Sequence, residues 1–69
     1  MEEIIKKFVG SKVDINCSNG IWFKGVIVAA ENGRLELRDD EERLIYIAID
    51  RVVAVYEVST TAVKPGFLG

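Results

Sequence analysis

Polar and apolar residues alternate through Lys12-Val13-Asp14-Ile15-Asn16-Cys17-Ser18, with Val13, Ile15 and Cys17 on one side and Asp14, Asn16 and Ser18 on the other. A period of two predicts a half-buried strand. The chain before it has a different rhythm. Ile4, Ile5 and Phe8 fall at i, i+1 and i+4, which gathers them on one face of a short helix over residues 2–8 while Lys6 and Lys7 point away. Glu2 and Glu3 at its start and the lysines near its end complement the helix dipole, and Gly10 ends it. So short a helix is not stable alone and has to dock on a core.

Four more β-like segments follow, with turn signals between them. Asn19-Gly20 is a strong hairpin signal, residues 21–30 read as a long second strand, and Glu31-Asn32-Gly33 turns it. Residues 34–38 alternate, with Leu35 and Leu37 inward. The run Asp39-Asp40-Glu41-Glu42 reads as a solvated loop tip, because four like charges repel. Residues 43–49 and 52–58 do not alternate: LIYIAI and VVAVYEV are apolar on both faces, broken by Asp50-Arg51. Strands of a half-exposed antiparallel sheet alternate, so the second face of these two is expected to be covered, within the subunit or by another chain. One helix and five short antiparallel strands predict a mostly β domain over residues 1–58, folded as a small, strongly bent barrel, with residues 59–69 as a tail. Gly25, in the middle of the long strand, is the natural place for the bend.

Ser18-Asn19-Gly20-Ile21-Trp22-Phe23-Lys24-Gly25 sets the one tryptophan beside a phenylalanine. Only one of the two rings can face the core. A two-residue turn at Asn19-Gly20 opposes Cys17 and Trp22, and buries Trp22 together with Lys24. An unpaired ammonium in a core costs several kcal/mol. A three-residue loop, Asn19-Gly20-Ile21, opposes Ser18 with Trp22 and Cys17 with Phe23. Phe23 and Ile27 then join the core and Trp22 shares the outer face with Lys24. The lysine decides for the second register. An outward Trp beside a Lys is a platform for a stacked base with a cation for phosphate; the alternative is that Trp22 packs under the helix or against a neighbouring subunit.

Composition changes the picture in one respect. A chain of 69 residues buries roughly 60% of its unfolded surface, and a core of that size supplies ~3–5 kcal/mol without staples. With one Cys and no His there is no internal disulfide and no zinc ligand set. Yet 49% of the residues are hydrophobic, which points to oligomerisation as the missing source of stability. The net charge of 9 − 11 = −2 creates no overall basic field. No apolar run spans a membrane and the acidic N-terminus does not resemble a signal peptide, so a cytoplasmic location is expected. No catalytic residues are expected either: there is no His, no nucleophile–base pair and no Gly-rich phosphate loop. Neither a metal nor another cofactor is called for. Cys17, in the inward set, reads as a small buried hydrophobe.

The stretches KVDINCSNGIWFKGVIV and IYIAIDRVVAVYEV resemble the two halves of the Sm-like family, in its Hfq-like branch. The element order, the Asn-Gly followed by a hydrophobic pair and a glycine, and two apolar strands split by a short turn carry the likeness over about residues 2–58. The resemblance implies a homo-oligomeric ring of about six or seven subunits, closed when the fourth strand of one pairs with the fifth of the next. Tyr46 and Ile47 on one strand and Val53, Val55 and Tyr56 on the other are then the interface residues. It also implies single-stranded RNA as a partner. Near the first turn, Gly20, Ile21, Trp22 and Lys24 fall where Hfq-like proteins receive purine-rich RNA, with Asn16 nearby. Towards the pore, Glu31 takes the acidic position, Asn32 follows it, and Gly33 stands where a stacking ring is usual. Tyr46-Ile47 replaces Lys-His, and Asp50-Arg51 forms the turn. Arg34, Arg38, Arg43 and Arg51 are candidates for a basic rim, or else pair with neighbours such as Glu36 and Asp50. Three readings remain: a ring that binds RNA or a nucleotide on the Trp22 face; a ring without RNA that serves as a scaffold or docks a protein partner, through the tail around Pro65 and Phe67; and a monomeric SH3-like barrel.

Overall fold

The computed structural model describes residues 1–58; the expected tail lies outside the described residues. The order is a short helix α1 (Glu2–Lys6), strands β1 (Lys12–Cys17), β2 (Trp22–Glu31), β3 (Arg34–Arg38) and β4 (Leu44–Ala48), a 3-10 turn (Ile49–Arg51) and β5 (Val52–Glu57). The fold is mostly β. The helix stops at Lys6 instead of Phe8, because hydrogen bonds such as Phe8 N–H to the Ile5 carbonyl tighten residues 7–10 into turns. Ile5 is fully buried and Phe8 packs on the core, but Ile4, expected on the same face, is 50% exposed: neighbours on a helix lie about 100° apart, and in so short a helix only Ile5 of the two reaches the core.

All five strands are antiparallel in one sheet of order β4-β3-β2-β1-β5. The sheet is not closed: β4 and β5 are its two edges and no ladder joins them among the described residues. The expected barrel is thus present only as a five-stranded open sheet. It must nevertheless curl. Four flat strand spacings put the edges about 19 Å apart, whereas the few residues from Ala48 to Val52 reach at most about 14 Å when extended. The 3-10 turn is shorter still, and it is fastened on both sides. Ile49 N–H donates to the Gly33 carbonyl (2.8 Å), and the Arg51 carbonyl accepts from Ser18 N–H (2.8 Å).

The curl is distributed over β2, which pairs with β1 through Trp22–Val26 and with β3 through Val26–Glu31. Gly25 sits where the two ladders meet. A Cβ there would collide with the Arg38 carbonyl oxygen and approach the Arg38 carbon to 2.9 Å, so only glycine admits the end of β3. Two bulges add twist. The extra residue Val28 moves the inward set of β2 from Ile27 to Ala30, and the extra residue Val53 does the same on β5 between Val52 and Val55. The core inside the curl is Ile5, Val13, Ile15, Cys17, Ile27, Ala30, Leu35, Leu37, Ile47, Ile49 and Val52.

The β1–β2 hairpin corrects the expected register by two residues. Cys17 N–H donates to the Ile21 carbonyl and Gly20 N–H to the Cys17 carbonyl, both at 2.9 Å, so the loop is Ser18-Asn19-Gly20 with Gly20 at φ +81°. That is the three-residue hairpin that ends in a left-handed residue. Asn16 therefore opposes Trp22 and Ile15 opposes Phe23. A shift of two leaves every side chain on its original face: Trp22 is 54% exposed while Phe23 packs on the core. The β3–β4 hairpin repeats the pattern. Asp39 N–H donates to the Arg43 carbonyl and Glu42 N–H to the Asp39 carbonyl, with Glu42 at φ +66°. Here the expected solvated tip needs correction. The Asp39 side chain is only 12% exposed; its Oδ1 accepts from Glu41 N–H and Arg43 N–H, and its Oδ2 from Arg43 Nε at 2.8 Å. The backbone N–H of Arg43 above all, and then its guanidinium, hold the Asp39 carboxyl below its usual range.

Candidate nucleotide-binding face

The outer face of the β1–β2–β5 half follows directly from the ladders. Asp14 and Asn16 alternate outward on β1; their partners on β2 are Lys24 and Trp22, and on β5 Tyr56 and Ala54. Trp22 and Tyr56 lie diagonally across β1 and their rings meet with centroids 5.5 Å apart at 39°, within the range of favourable tilted aromatic pairs. A cleft of about 240 Å³ opens beside them, lined by Asp14, Trp22, Phe23 and Lys24. Lys24 is exposed, and no carboxylate lies within ion-pair distance of it among the described residues. Asp14 has an Oδ1 that is buried and accepts no hydrogen bond among the described residues. Gly20 and Ile21 stand at the end of this face, where the Asn19 Oδ1 accepts from Ile21 N–H (3.2 Å) and fixes the loop. Asn16, Gly20, Ile21, Trp22 and Lys24 are thus neighbours.

The other expected site residues lie elsewhere. Glu31 and Arg34 line a cleft of about 300 Å³ with Glu36 and Tyr46 on the outer face of the other half. Asn32 sits in the two-residue β2–β3 turn at φ +55°, beside a Gly33 whose N–H donates to Glu2 Oε1 at 2.9 Å. Asp50 and Arg51 belong to the 3-10 turn; Arg51 helps line a cleft of about 200 Å³ with Ser18, Asn19 and Tyr46. The basic rim divides in two. Arg38 pairs with Glu42 and Arg43 with Asp39 and Glu41, so their partners are the β3–β4 loop acids, not Glu36 or Asp50. Arg34 and Arg51 have no such partner among the described residues.

Of the expected interface residues, Tyr46, Val53 and Tyr56 are 61%, 59% and 54% exposed along the two open edges. Ile47 and Val55 turn their side chains to the core. Burial pushes the Cys17 thiol up from its ordinary value, which disfavours the reactive thiolate. Among the described residues, no three His, Cys, Asp or Glu side chains are placed to hold a metal ion. Nor is any helix there long and apolar enough to cross a membrane.

The model of a family described as a domain of unknown function, DUF6897, matches residues 1–58. The chain belongs to the DUF6897 family. The DUF6897 match spans the helix, all five strands and the whole candidate face. No curated protein matches the chain. The residues that sequence reasoning left off this face are Asp14 and, as a contact of Trp22, Tyr56. Asp14 was legible as an outward residue of β1 two positions from Asn16; its missing hydrogen-bond donor was not.

Proposed function

We propose that the protein is a subunit of an Sm-like homo-oligomeric ring and that its Trp22 face receives single-stranded RNA or a nucleotide. The observation that carries the reading is Trp22 itself: 54% exposed, beside a lysine with no carboxylate partner among the described residues, at the mouth of a cleft. An exposed tryptophan gives a base a stacking surface worth ~1–3 kcal/mol, and Lys24 gives its phosphate a counter-charge.

The open edges support the ring. β4 presents Leu44 and Tyr46 to solvent, β5 presents Val53 and Tyr56, and each edge has an unpaired row of backbone donors and acceptors. Such edges invite pairing with another chain. Joining β4 of one copy to β5 of the next satisfies both rows by one contact, and the curl of the sheet supplies the rotation a ring needs. In this reading the open sheet is the Sm-like bent barrel of the resemblance.

A second reading, a ring without RNA that serves as a protein scaffold, draws on the contact between Tyr56 and Trp22, which already occupies part of the indole, and on the net charge of −2. Native mass spectrometry of protein purified without nuclease, followed by titration with single-stranded RNA, separates the two. A closed multiple of the 7.7 kDa chain that binds RNA through Trp22 supports the first. A ring indifferent to RNA supports the second, and a monomer removes both.

A further inference from the structure

Resting on the reading of the protein as a ring subunit, we propose that β4 of one copy pairs with β5 of the next in one register, Tyr46 opposite Val55, and that inside and outside change places at this seam. The outer side chains of β4 cover the edge of the neighbour's core, and the outer side chains of the neighbour's β5 cover the core edge beside β4.

Hydrogen-bond parity decides the register. Opposite residues of an antiparallel pair alternate between those that exchange both backbone hydrogen bonds and those that turn their backbone groups away. At one end of the β3–β4 ladder Ile49 N–H donates to the Gly33 carbonyl, and at the other Asp39 N–H donates to the Arg43 carbonyl. Counting inward from either end, Ile45 and Ile47 bond to β3, while the backbone groups of Leu44, Tyr46 and Ala48 point to the free edge. On β5, Val58 N–H donates to the Lys12 carbonyl. Tyr56 and Ala54 therefore bond to β1, and Glu57, Val55 and the bulged Val53 turn theirs to the other free edge.

The two edges are of opposite kinds. β4 offers the backbone of outward residues, since Leu44 and Tyr46 are exposed while Ile45 and Ile47 pack on the core. β5 offers the backbone of an inward one, Val55, which packs on the core opposite Ile15. Residues opposite each other in a ladder share a face. One chain therefore cannot close its own barrel by joining β4 to β5, because closure sets inward residues against inward ones. Two neighbouring copies can, because at a seam the core of one lies on the outer side of the other. Of the registers this parity allows, Tyr46 opposite Val55 engages every free residue of both edges, with Leu44 opposite Glu57 and Ala48 opposite Val53. Ile45 then faces Tyr56 of the next copy, and Ile47 faces Ala54. Ile45 and Val55 are only partly buried in the single subunit; Tyr56 and Tyr46, both exposed there, complete their burial. Each apolar face of β4 and β5 meets a core, its own or the neighbour's.

Cys17 is the only cysteine, so a Cys17→Ala background lets cysteine pairs report the seam. Ile45→Cys with Tyr56→Cys places two thiols on an opposed pair that exchanges no hydrogen bonds, about 4.5 Å apart at Cα, which suits a disulfide. Tyr46→Cys with Tyr56→Cys joins two residues exposed in the subunit but sets them on opposite faces of the seam. On oxidation of the full chain, the first variant should form a covalent ladder on non-reducing gels at least about tenfold faster than the second. Equal rates, or a faster second variant, overturn the register while native mass spectrometry still shows the ring. A monomeric native mass for the unsubstituted chain removes the ring reading first, and this one with it. Amide hydrogen exchange on the unsubstituted assembly tests the same parity should the cysteine variants fail to assemble. The edge amides of Tyr46 and Val55 should exchange as slowly as those of Ile45 and Tyr56, which bond within the subunit. Rapid exchange at Tyr46 and Val55 in the assembled protein overturns the register.

Discussion

The two faces of the β1–β2 hairpin are made from the same residues in alternation, yet they differ in almost every physical respect. Inside, Val13, Ile15, Cys17 and Phe23 pack on a core that contains no polar side chain among the described residues. Outside, among the described residues, Asp14, Asn16, Trp22 and Lys24 leave a buried carboxylate oxygen without a donor, a lysine without a counter-ion and an indole about half in water. The inner face is complete and the outer face is not. A fold that satisfies one side of a sheet and leaves groups unmet on the other separates the residues that hold the structure from those available to a ligand.

The comparison breaks if inner and outer neighbours respond alike to substitution. The largest effect is expected at Ile15, fully buried between the two ladders: Ile15→Ala should lose ~2–5 kcal/mol in urea unfolding, whereas Asn16→Ala, the next residue but on the outer face, should lose well under half of that. Gly25→Ala comes next, at ~1–3 kcal/mol, because the new methyl meets the backbone of β3 rather than a side chain that can move. An unchanged melting curve for Gly25→Ala would mean that β3 does not cross β2 there.

The loops that assign residues to faces give a smaller effect of opposite sign. Both are three-residue hairpins that end in a left-handed residue, but one uses Gly20 and the other Glu42. Glu42→Gly should stabilise the protein by about 1 kcal/mol by relieving that conformation, at the cost of the exposed Arg38 pair, which is worth little. Cys17 sharpens the inner face at alkaline pH. Its folded thiol titrates above the ordinary 9.0, so the unfolded chain loses its proton first. Its contribution is intact below pH 9 and declines as pH rises through the folded value. Cys17→Ala should show a flatter stability profile between pH 8.5 and 10.5, roughly the range in which thiols titrate. Smallest for stability and largest for binding is Trp22→Ala. It should cost at most about 1 kcal/mol, the scale of its contact with Tyr56, and remove RNA binding while the assembly mass stays the same. Loss of the assembly in that variant would mark Trp22 as a seam residue.

Much of this was legible without coordinates. The period of two named the inner and outer residues of β1, and the cost of burying Lys24 sent Trp22 outward. Because side chains repeat every two residues, that assignment survived a register wrong by two. Asp39 is not distinguishable by sequence, where four like charges stand in a row and a carboxylate that folds back to collect its own loop's N–H groups looks no different from three that do not. The bulges at Val28 and Val53 left no mark in the pattern, since both are hydrophobic residues in hydrophobic strands.

The division follows from range. Alternation, turn residues and the number of strands are set within a few residues of chain, and sequence alone determined them here: one short helix, five strands, a tryptophan outside. That a three-residue 3-10 turn must draw the two edge strands together, that Gly25 has to admit the backbone of β3, and that Asp14 ends up beside Lys24 and Tyr56 with no donor to its Oδ1 among the described residues are all properties of pairs far apart in the chain. Only tertiary structure decided them, because the free energy of such contacts depends on where the rest of the sheet has already gone.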